Sequence, residues 1–445
     1  MFRTTATTRR LLAASLAAAA LALPPSAQGA LVYFDAVASN GQIDDGGGTW
    51  STSNALWTTD GGASNFAWNN TTNANDTAVF GAGVAGTPGT VSGTNNLKAG
   101  SLQFLKSYTY QSWNNTLSIG EVNVATGAVA TLGNLGILGS NGVTKTGSGT
   151  LTFTTLTNSG YTGGTYINDG KLRFSSNSAG NLLNPATGDI YMLDTSGAAD
   201  AAIGVEGNNG NWTIPNNIIV RSGSTGSASI NYQKSSTSGT GTFSGNLTLN
   251  KDLLLTKSGG NPVAVTVSGN VSGAGNLTID QSTGGGGVTL SGNNASHAGT
   301  LSILGSTLAN TPVSLNGTQG NSNITLNKVA AGGAGTLRYN VSGGLADLIT
   351  VTNTATFDLA GLTLEPVIGA TPTQSEYVII NTTAGVSNTF TLLDTSPSYD
   401  FVIDYDGTID NPGKVVLLLT VIPEPASFAV LAAGSVLVLA RRKRA

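Results

Sequence analysis

The sequence predicts an all-β chain whose short strands stack as a solenoid, and three observations lead to that prediction. Charged residues make up 9% of the 445 residues, against about 25% in a typical soluble domain, and glycine occurs 61 times. The clearest stretch, Gly142–Phe174, alternates apolar and polar residues in short bursts such as Thr150–Thr154, each closed by turn residues. Parts of that stretch recur downstream, which indicates repeated strand–turn units that bury their apolar face by stacking.

The recurring signature is Gly-x-Gly-x-Leu/Phe, which starts at Gly147, Gly239, Gly273 and Gly333. The separations of 92, 34 and 60 residues are near three, one and two multiples of a unit of about thirty residues. A second landmark also recurs, because Leu255–Gly259 repeats the pattern of Val143–Gly147. We expect Leu151, Phe153 and Ile167 to fill the interior, and the glycines to turn the chain between strands.

The first thirty residues are predicted to be a secretory signal peptide. Arg3, Arg9 and Arg10 precede an apolar run, Leu11–Leu23, which is short for a membrane span, and Pro24 and Pro25 end it. Small residues then offer a cleavage position within Ala27–Ala30. A buried N-terminal helix is the disfavoured alternative. The chain is therefore expected to be exported through the cell's export machinery.

Residues 31–141 are predicted to form a β-rich capping module. Trp50, Trp57 and Trp68 fall within nineteen residues of one another. They could form an aromatic platform that stacks on sugar rings, or they could cover the open end of the strand stack. We favour the cap and keep the three tryptophans as candidate glycan contacts.

Several classes of site are disfavoured by composition and context. A Gly-x-Gly-x-x-Gly motif at Gly81–Gly86 continues into Thr87-Pro88-Gly89, a turn, whereas a dinucleotide site needs a helix there. Between residues 31 and 422 there are 12 basic and 22 acidic residues, so we expect no nucleic-acid partner. The chain has no cysteine and one histidine. We therefore predict no catalytic residues, no cofactor and no metal site.

The remaining ionisable residues of interest are expected to be solvated. Asp44, Asp45 and Asp189 lie among glycine-rich turns. His297 lies in a stretch that aligns with the turn after Tyr161, so an exposed turn histidine is expected. Asp404–Asp410 superficially resembles a calcium loop but lacks the closing glutamate, so we interpret it as a turn.

The C-terminal part contains a β-rich region and a distinctive tail. Residues 337–422 contain strand-like runs without the repeat, and the tail begins with Pro423, Glu424 and Pro425. Fifteen apolar residues follow, and the chain ends with the basic residues Arg441, Arg442, Lys443 and Arg444. Such a basic end holds the C-terminus of a transmembrane helix in the cytoplasm. We therefore predict a short membrane-spanning helix, present before processing.

Two parts of the chain resemble known families. Residues 423–445 resemble the PEP-CTERM sorting signal, which implies recognition and cleavage near Pro423-Glu424-Pro425 by an exosortase, with the basic cluster as the stop. The stretch Gly142–Phe174 resembles the autotransporter-associated β-strand repeat. That resemblance implies a right-handed parallel β-helix of the kind found in surface adhesins.

The predicted organisation is therefore a signal peptide (1–30), an N-terminal capping module (31–141), a β-solenoid (142–336), a C-terminal β-rich region (337–422) and a sorting tail (423–445). The favoured function is an exported, non-catalytic structural or adhesive protein of the cell envelope or extracellular matrix. Two alternatives stay open. One is a glycan-binding module, with extracellular polysaccharide as its partner. The other is a β-helix enzyme acting on polysaccharide, which would need two carboxylates about 5–10 Å apart in one groove.

Overall fold

The protein, seen in a computed structural model, is an all-β parallel β-solenoid of about nine turns. The structure describes residues 29–422 apart from the following gaps: 95, 113–114, 139–141, 155–160, 176–179, 182–187, 206–210, 233–238, 258–262, 281–287, 293, 295, 305–312, 316, 320–323, 327–334, 347–348, 352–356, 361–362, 383–384, 395 and 406–413. No helix occurs in the described residues, and none there could cross a membrane. Residues 1–28 of the predicted signal peptide and the whole predicted sorting tail lie outside the described residues.

The strands are short and follow one another at close intervals. Those before residue 142 are β1 (Leu31–Phe34), β2 (Asp44–Asp45), β3 (Gly48–Trp50), β4 (Ala55–Thr58), β5 (Phe66–Ala67), β6 (Thr77–Phe80), β7 (Ala85–Gly86), β8 (Thr90–Gly93), β9 (Leu97–Lys98), β10 (Ser101–Phe104), β11 (Tyr108–Gln111), β12 (Thr116–Ser118), β13 (Glu121–Val124), β14 (Val129–Gly133) and β15 (Gly136–Leu138). The central strands are β16 (Val143–Thr146), β17 (Thr150–Phe153), β18 (Thr165–Ile167), β19 (Gly170–Phe174), β20 (Gly180–Asn181), β21 (Ile190–Met192), β22 (Ala201–Val205), β23 (Trp212–Ile214), β24 (Ile218–Val220), β25 (Ala228–Tyr232), β26 (Gly239–Phe243), β27 (Leu247–Leu249), β28 (Leu253–Lys257), β29 (Val263–Val267), β30 (Val271–Ser272), β31 (Leu277–Asp280), β32 (Val288–Leu290), β33 (Leu301–Leu304), β34 (Val313–Leu315), β35 (Gly317–Gln319) and β36 (Ile324–Leu326). The last strands are β37 (Gly335–Ser342), β38 (Leu345–Ala346), β39 (Ile349–Val351), β40 (Phe357–Asp358), β41 (Thr363–Ile368), β42 (Glu376–Thr382), β43 (Val386–Ser387), β44 (Thr391–Leu392), β45 (Tyr399–Asp404) and β46 (Lys414–Val421).

Two long sheets form the main walls of the solenoid. The first has the order β30-β27-β24-β21-β18-β16-β13-β10-β6-β1-β4-β5, and its strands from β1 to β30 pair in nine parallel steps. The second runs β3-β8-β11-β14-β17-β19-β22-β25-β28-β31-β33-β36-β39-β42-β46-β45. Shorter sheets, such as β20-β23-β26-β29-β32-β34, form a third wall along part of the length. The coarse prediction of an all-β parallel solenoid is confirmed, and its right-handedness stays a prediction.

Alternation with period two explains why these residues stack. Along the second sheet, one inward position holds apolar side chains that are each at most 1% exposed and that pair from turn to turn: Leu151, Leu172, Ile203, Ile230, Leu255 and Ile279. Each such side chain contributes roughly 1.5–3 kcal/mol when fully buried. The expected interior positions of Leu151, Phe153 and Ile167 are confirmed, because none is more than 2% exposed.

The predicted repeat unit of about thirty residues is wrong. Val143 pairs with Thr165 and Phe153 with Phe174, so the stretch Gly142–Phe174 makes about one and a half turns of twenty-one to twenty-two residues each. From β6 to β30 of the first sheet, the turn length varies from twenty residues, between Leu102 and Val122, to twenty-nine, between Val220 and Leu249. Because the loops differ in length, equal spacing in the sequence does not place two copies on the same wall. The signature at Gly239 thus starts β26 of the third wall, whereas the signature at Gly147 leads into β17 of the second.

Antiparallel strands close both ends of the stack. At the N-terminal end β4 pairs antiparallel with β1 and β5 with β4, and at the C-terminal end β46 pairs antiparallel with β42 and β45. Such additions cover strand edges that would otherwise template pairing with another chain. The second sheet also continues across residues 141/142 through β14 and β17, and across 336/337 through β36 and β39. The three predicted β regions therefore share one sheet.

Candidate functional site

The three candidate tryptophans form the core of the N-terminal end. Trp50, Trp57 and Trp68 are each 0% exposed, and their ring centroids lie 4.7–5.1 Å apart. Stacking on a sugar requires an exposed ring face, and these rings have none. The expectation that they contact glycan is therefore not supported by their position. The alternative, that they fill the end of the stack beside β3, β4 and β5, agrees with the structure.

Asp45 is buried rather than solvated, and it organises a loop of the N-terminal end. Its carboxylate accepts hydrogen bonds from the Gly83 amide at 3.1 Å, the Tyr108 hydroxyl at 3.2 Å and the Lys106 ammonium at 2.5 Å. Burial raises the pKa of Tyr108, and the Asp45 charge adds to that effect. The Gly-x-Gly-x-x-Gly motif at Gly81–Gly86 therefore packs against the Asp45 carboxylate rather than against a phosphate. A Cβ atom at Gly83 would lie 2.3 Å from the Asp45 nitrogen, so only glycine fits there.

Asp44 is buried as well, again contrary to expectation. Its two carboxylate oxygens accept hydrogen bonds from Asn40 Nδ2 at 2.5 Å and Gln42 Nε2 at 2.8 Å. The neighbouring Asp35 accepts from the Asp44 amide at 3.0 Å and from Asn65 Nδ2 at 3.1 Å. Amide donors hold these carboxylates because a buried polar group must be paired. In the residues with assigned positions, no three His, Asp or Glu side chains are grouped to hold a metal ion.

Lys145, on β16, is an interior residue. It is 1% exposed, and its ammonium donates to the carbonyl oxygens of Thr146 at 2.8 Å, Asp169 at 3.1 Å and Gly147 at 2.5 Å. Burial lowers its pKa to about 8, and the Asp169 charge opposes that effect. Lys145 therefore ties together carbonyl groups of two adjacent turns.

His297 is 4% exposed, so the expectation of an exposed turn histidine is wrong. Its Nε2 atom lies 2.9 Å from the Gly275 carbonyl oxygen, and its backbone forms a parallel bridge to Gly273. Burial lowers the pKa of His297. Tyr161, in the turn with which the sequence aligns it, is buried as well, at 1% exposed.

A partly exposed pair of stacked tyrosines was not predicted. Tyr166 on β18 and Tyr191 on β21 are register partners whose rings stack with centroids 4.8 Å apart and planes at 8°. The Arg221 guanidinium lies 5.7 Å from the Tyr166 ring centroid and donates to Asn168 Oδ1 at 2.6 Å. Partial burial and the Asp189 carboxylate raise the pKa of Tyr191. The available signal was the period-two pattern, in which each tyrosine lies between two inward residues: Thr165, Ile167, Ile190 and Met192.

Beside this pair runs a ladder of side-chain amides. Asp189 Oδ1 accepts from Asn217 Nδ2 at 2.9 Å. Asn217 Oδ1 accepts from the Asn246 backbone amide at 2.9 Å, and Asn246 Oδ1 from the Asn270 backbone amide at 3.0 Å. These hydrogen bonds link four successive turns along the solenoid axis, in addition to the backbone hydrogen bonds of the sheets.

Comparison with known proteins gives one partial likeness. Part of the chain, 157 residues or 34% of its length, is 34% identical to the adhesin BmaC autotransporter of Brucella suis biovar 1 (strain 1330). The matched protein is an adhesin. The matched region covers 4% of that adhesin, so its other properties do not follow for this chain. No family model matches the chain, and no solved structure matches it.

The sorting residues lie outside the described residues: Pro423, Glu424, Pro425, Arg441, Arg442, Lys443 and Arg444. The same holds for residues 406–410 of the loop that resembles a calcium site.

Proposed function

We propose that this chain is an exported, non-catalytic adhesive protein of the cell surface or extracellular matrix. The observation that carries the proposal is the continuous parallel solenoid, capped at both ends, with its apolar rows inside. A solenoid presents an extended ordered surface of the kind that binds partners. The partial likeness to an autotransporter adhesin supports the same function.

The sorting route belongs to this proposal. Export depends on residues 1–30, and retention at the envelope depends on the PEP-CTERM-like tail, which an exosortase-like enzyme recognises at Pro423-Glu424-Pro425. The support is the order of elements in the sequence: a Pro-Glu-Pro motif, an apolar run and a basic end. Until cleavage, the apolar run anchors the protein in the membrane.

The test compares the full chain with a variant that lacks residues 423–445, both expressed in the native host. The envelope, medium and cell interior are assayed for the protein by immunoblot, and its mass shows whether the tail has been removed. We expect the variant to leave the envelope fraction, and cells that make it to adhere less to surfaces. Equal envelope amounts of the two forms would contradict the sorting route, and equal adherence of cells lacking the protein would contradict the adhesive role.

A second candidate function, glycan binding, is favoured by the partly exposed tyrosine pair. Tyr166 and Tyr191 supply the partly exposed aromatic surface that the buried tryptophans do not. Asn168, Asp189 and Arg221 surround the pair with hydrogen-bonding groups. Because the body of the chain is acidic, an uncharged polysaccharide is the better ligand than an anionic one.

Matched alanine variants test this candidate. Tyr166→Ala/Tyr191→Ala should reduce retention on neutral polysaccharide from the host matrix by about tenfold, the ratio that loss of about 1.4 kcal/mol produces. The control is Tyr33→Ala, a partly exposed tyrosine of the same sheet. Equal retention of the natural chain, the double variant and Tyr33→Ala would contradict a glycan-binding site at this pair. Release of soluble sugar from the polysaccharide would favour the β-helix enzyme instead.

A further inference from the structure

One sheet at the N-terminal end starts with a strand edge that carries no further strand. The sheet β15-β12-β9 begins with β9, and no strand of the described chain pairs with the outer side of β9. The Ala99 amide donates to the Ser118 carbonyl oxygen at 3.0 Å, toward β12. Because backbone groups alternate in direction along a strand, the amide and carbonyl of Lys98 point the other way, out of the sheet. An open edge of this kind templates pairing with another chain.

The side-chain amide of Asn70 occupies this edge. Its Nδ2 atom donates to the Asn96 carbonyl oxygen at 2.7 Å, and its Oδ1 atom accepts from the Lys98 amide at 3.0 Å. A residue of a parallel strand makes the same two hydrogen bonds, to the residues on either side of the one that it faces. The residue between Asn96 and Lys98 is Leu97. The Asn70 amide therefore takes the place that the peptide group of a neighbouring strand would have.

Trp68 and a tight turn hold Asn70 in position. The Trp68 ring is 0% exposed, and its Nε1 atom donates to the Lys98 carbonyl oxygen at 2.8 Å. Asn69 and Asn73 then bond twice across the turn. The Asn73 amide donates to the Asn69 carbonyl oxygen at 2.8 Å, and the Asn69 amide donates to Asn73 Oδ1 at 3.0 Å. The contact between Asn70 and β9 is thus built on the buried core of the end.

The second wall is closed at the same end by a similar contact. The Thr94 amide donates to the Trp50 carbonyl oxygen at 3.0 Å, toward β8, so the Thr49 carbonyl points away from β8. Asn54 Nδ2 donates to this Thr49 oxygen at 3.2 Å. The first wall is closed by a strand, since β4 pairs antiparallel with β1. Asparagine side chains thus act at the two edges that β4 does not cover.

We propose that Asn70 and Trp68 form an edge cap, which prevents a second copy of this chain from adding a strand to β9. A second copy is the partner that fits the open edge, because the strands of this solenoid are already built for parallel pairing. Such a contact joins two different surfaces and leaves the far end of each copy free, so it continues into a filament. The exposed Lys98 side chain also disfavours pairing at this edge. This role is independent of the proposed adhesive function.

The experiment compares the natural full chain with three variants at rising concentration, and analytical ultracentrifugation measures their mass. Asn70→Ala opens the edge, so it should associate at a concentration about tenfold below that of the natural chain. Asn70→Asp keeps an acceptor for the Lys98 amide and places a charge on the edge, which blocks strand addition, so it should behave as the natural chain does. The matched control is Asn75→Ala, at an exposed asparagine of the same loop.

Hydrogen exchange at the Lys98 amide tests the edge itself. In dilute solution this amide should exchange faster in Asn70→Ala than in the natural chain. Concentrating the variant should protect the amide again, because the strand of a second copy then accepts its hydrogen bond. Thermal unfolding of each variant shows that the fold is kept.

Two results would overturn the edge cap. One is equal association of Asn70→Ala and the natural chain. The other is equal association of Asn70→Ala and Asn70→Asp, because a charge on the edge would then make no difference to the contact between copies.

Discussion

The Lys106 ammonium lies 2.5 Å from Oδ2 of Asp45, a residue 61 positions earlier in the chain, and the Asp45 side chain has no exposed surface. The pair joins the loop between β10 and β11 to the N-terminal end of the solenoid. The Lys106 ammonium also donates a hydrogen bond to the Gly83 carbonyl oxygen at 2.8 Å, which fixes the position of the loop that contains Gly81–Gly86.

Removing the cation alone should destabilise the fold. Lys106→Met leaves the buried Asp45 carboxylate without its charged partner, and we expect a loss of about 2 kcal/mol, below the range for a fully buried pair because Lys106 is half exposed. Asp45→Asn/Lys106→Met should lose less than the sum of the single variants. Urea unfolding of the four proteins gives the coupling free energy, and a coupling near zero would contradict this role.

The aromatic residues should divide into core and surface by their effect on stability. Trp57→Ala empties a fully buried site and should cost about 3–5 kcal/mol. Tyr191→Ala removes a partly exposed ring and should cost less than about 1.5 kcal/mol, the size of one ring-stacking contact. Chemical unfolding measures both. Similar losses for the two variants would contradict a core position for Trp57.

Gly241 is needed for space rather than for a turn. It pairs with Trp212, and an added Cβ atom would lie 2.0 Å from the indole ring. Gly241→Ala should therefore destabilise by roughly 1–3 kcal/mol, the usual cost of overpacking. Gly120→Ala is the control, since its Cβ atom would make one ordinary contact at 3.4 Å. Thermal unfolding that ranked the two variants equally would refute the close approach.

The buried Lys145 should make stability depend on pH. Its pKa falls from 10.5 to about 8 on folding, so the unfolded state binds more protons between these values and stability rises with pH across that window. Between pH 7.5 and 9.5 the natural chain should gain on the order of 2 kcal/mol relative to Lys145→Met. Unfolding of both proteins at several pH values measures the difference. A difference that is flat or falls with pH would be the contrary result.

The amide ladder should depend on its acceptor oxygens. Asn246→Ala removes the acceptor for the Asn270 amide and should cost about 1 kcal/mol, the net value of one hydrogen bond. Asn246→Asp keeps an acceptor oxygen and should stay close to the natural chain. Hydrogen exchange at the Asn270 amide reports the bond directly, and unchanged protection in the alanine variant would show that the ladder contributes nothing.

Prediction from sequence succeeded where local alternation decides the outcome. Thr150–Phe153 and Gly170–Phe174 are strands, and Leu172 and Phe174 point inward as the pattern requires. Gly147 has a φ of 72°, so its predicted role in a turn is confirmed. Prediction failed for Asp45 and His297, because a residue that lies outside the repeated strand rows is buried or exposed according to what the neighbouring turn places against it.

The sequence by itself determined that this chain forms short strands and which side of each strand is apolar, because side-chain direction alternates along any strand. Only the tertiary structure decided which strands stack, because loop lengths set that register. It brought Lys106 to Asp45 and Tyr191 onto Tyr166, and it buried the three tryptophans at the end of the stack. Contacts between turns join residues about twenty to thirty positions apart, a distance at which spacing in the sequence no longer predicts contact.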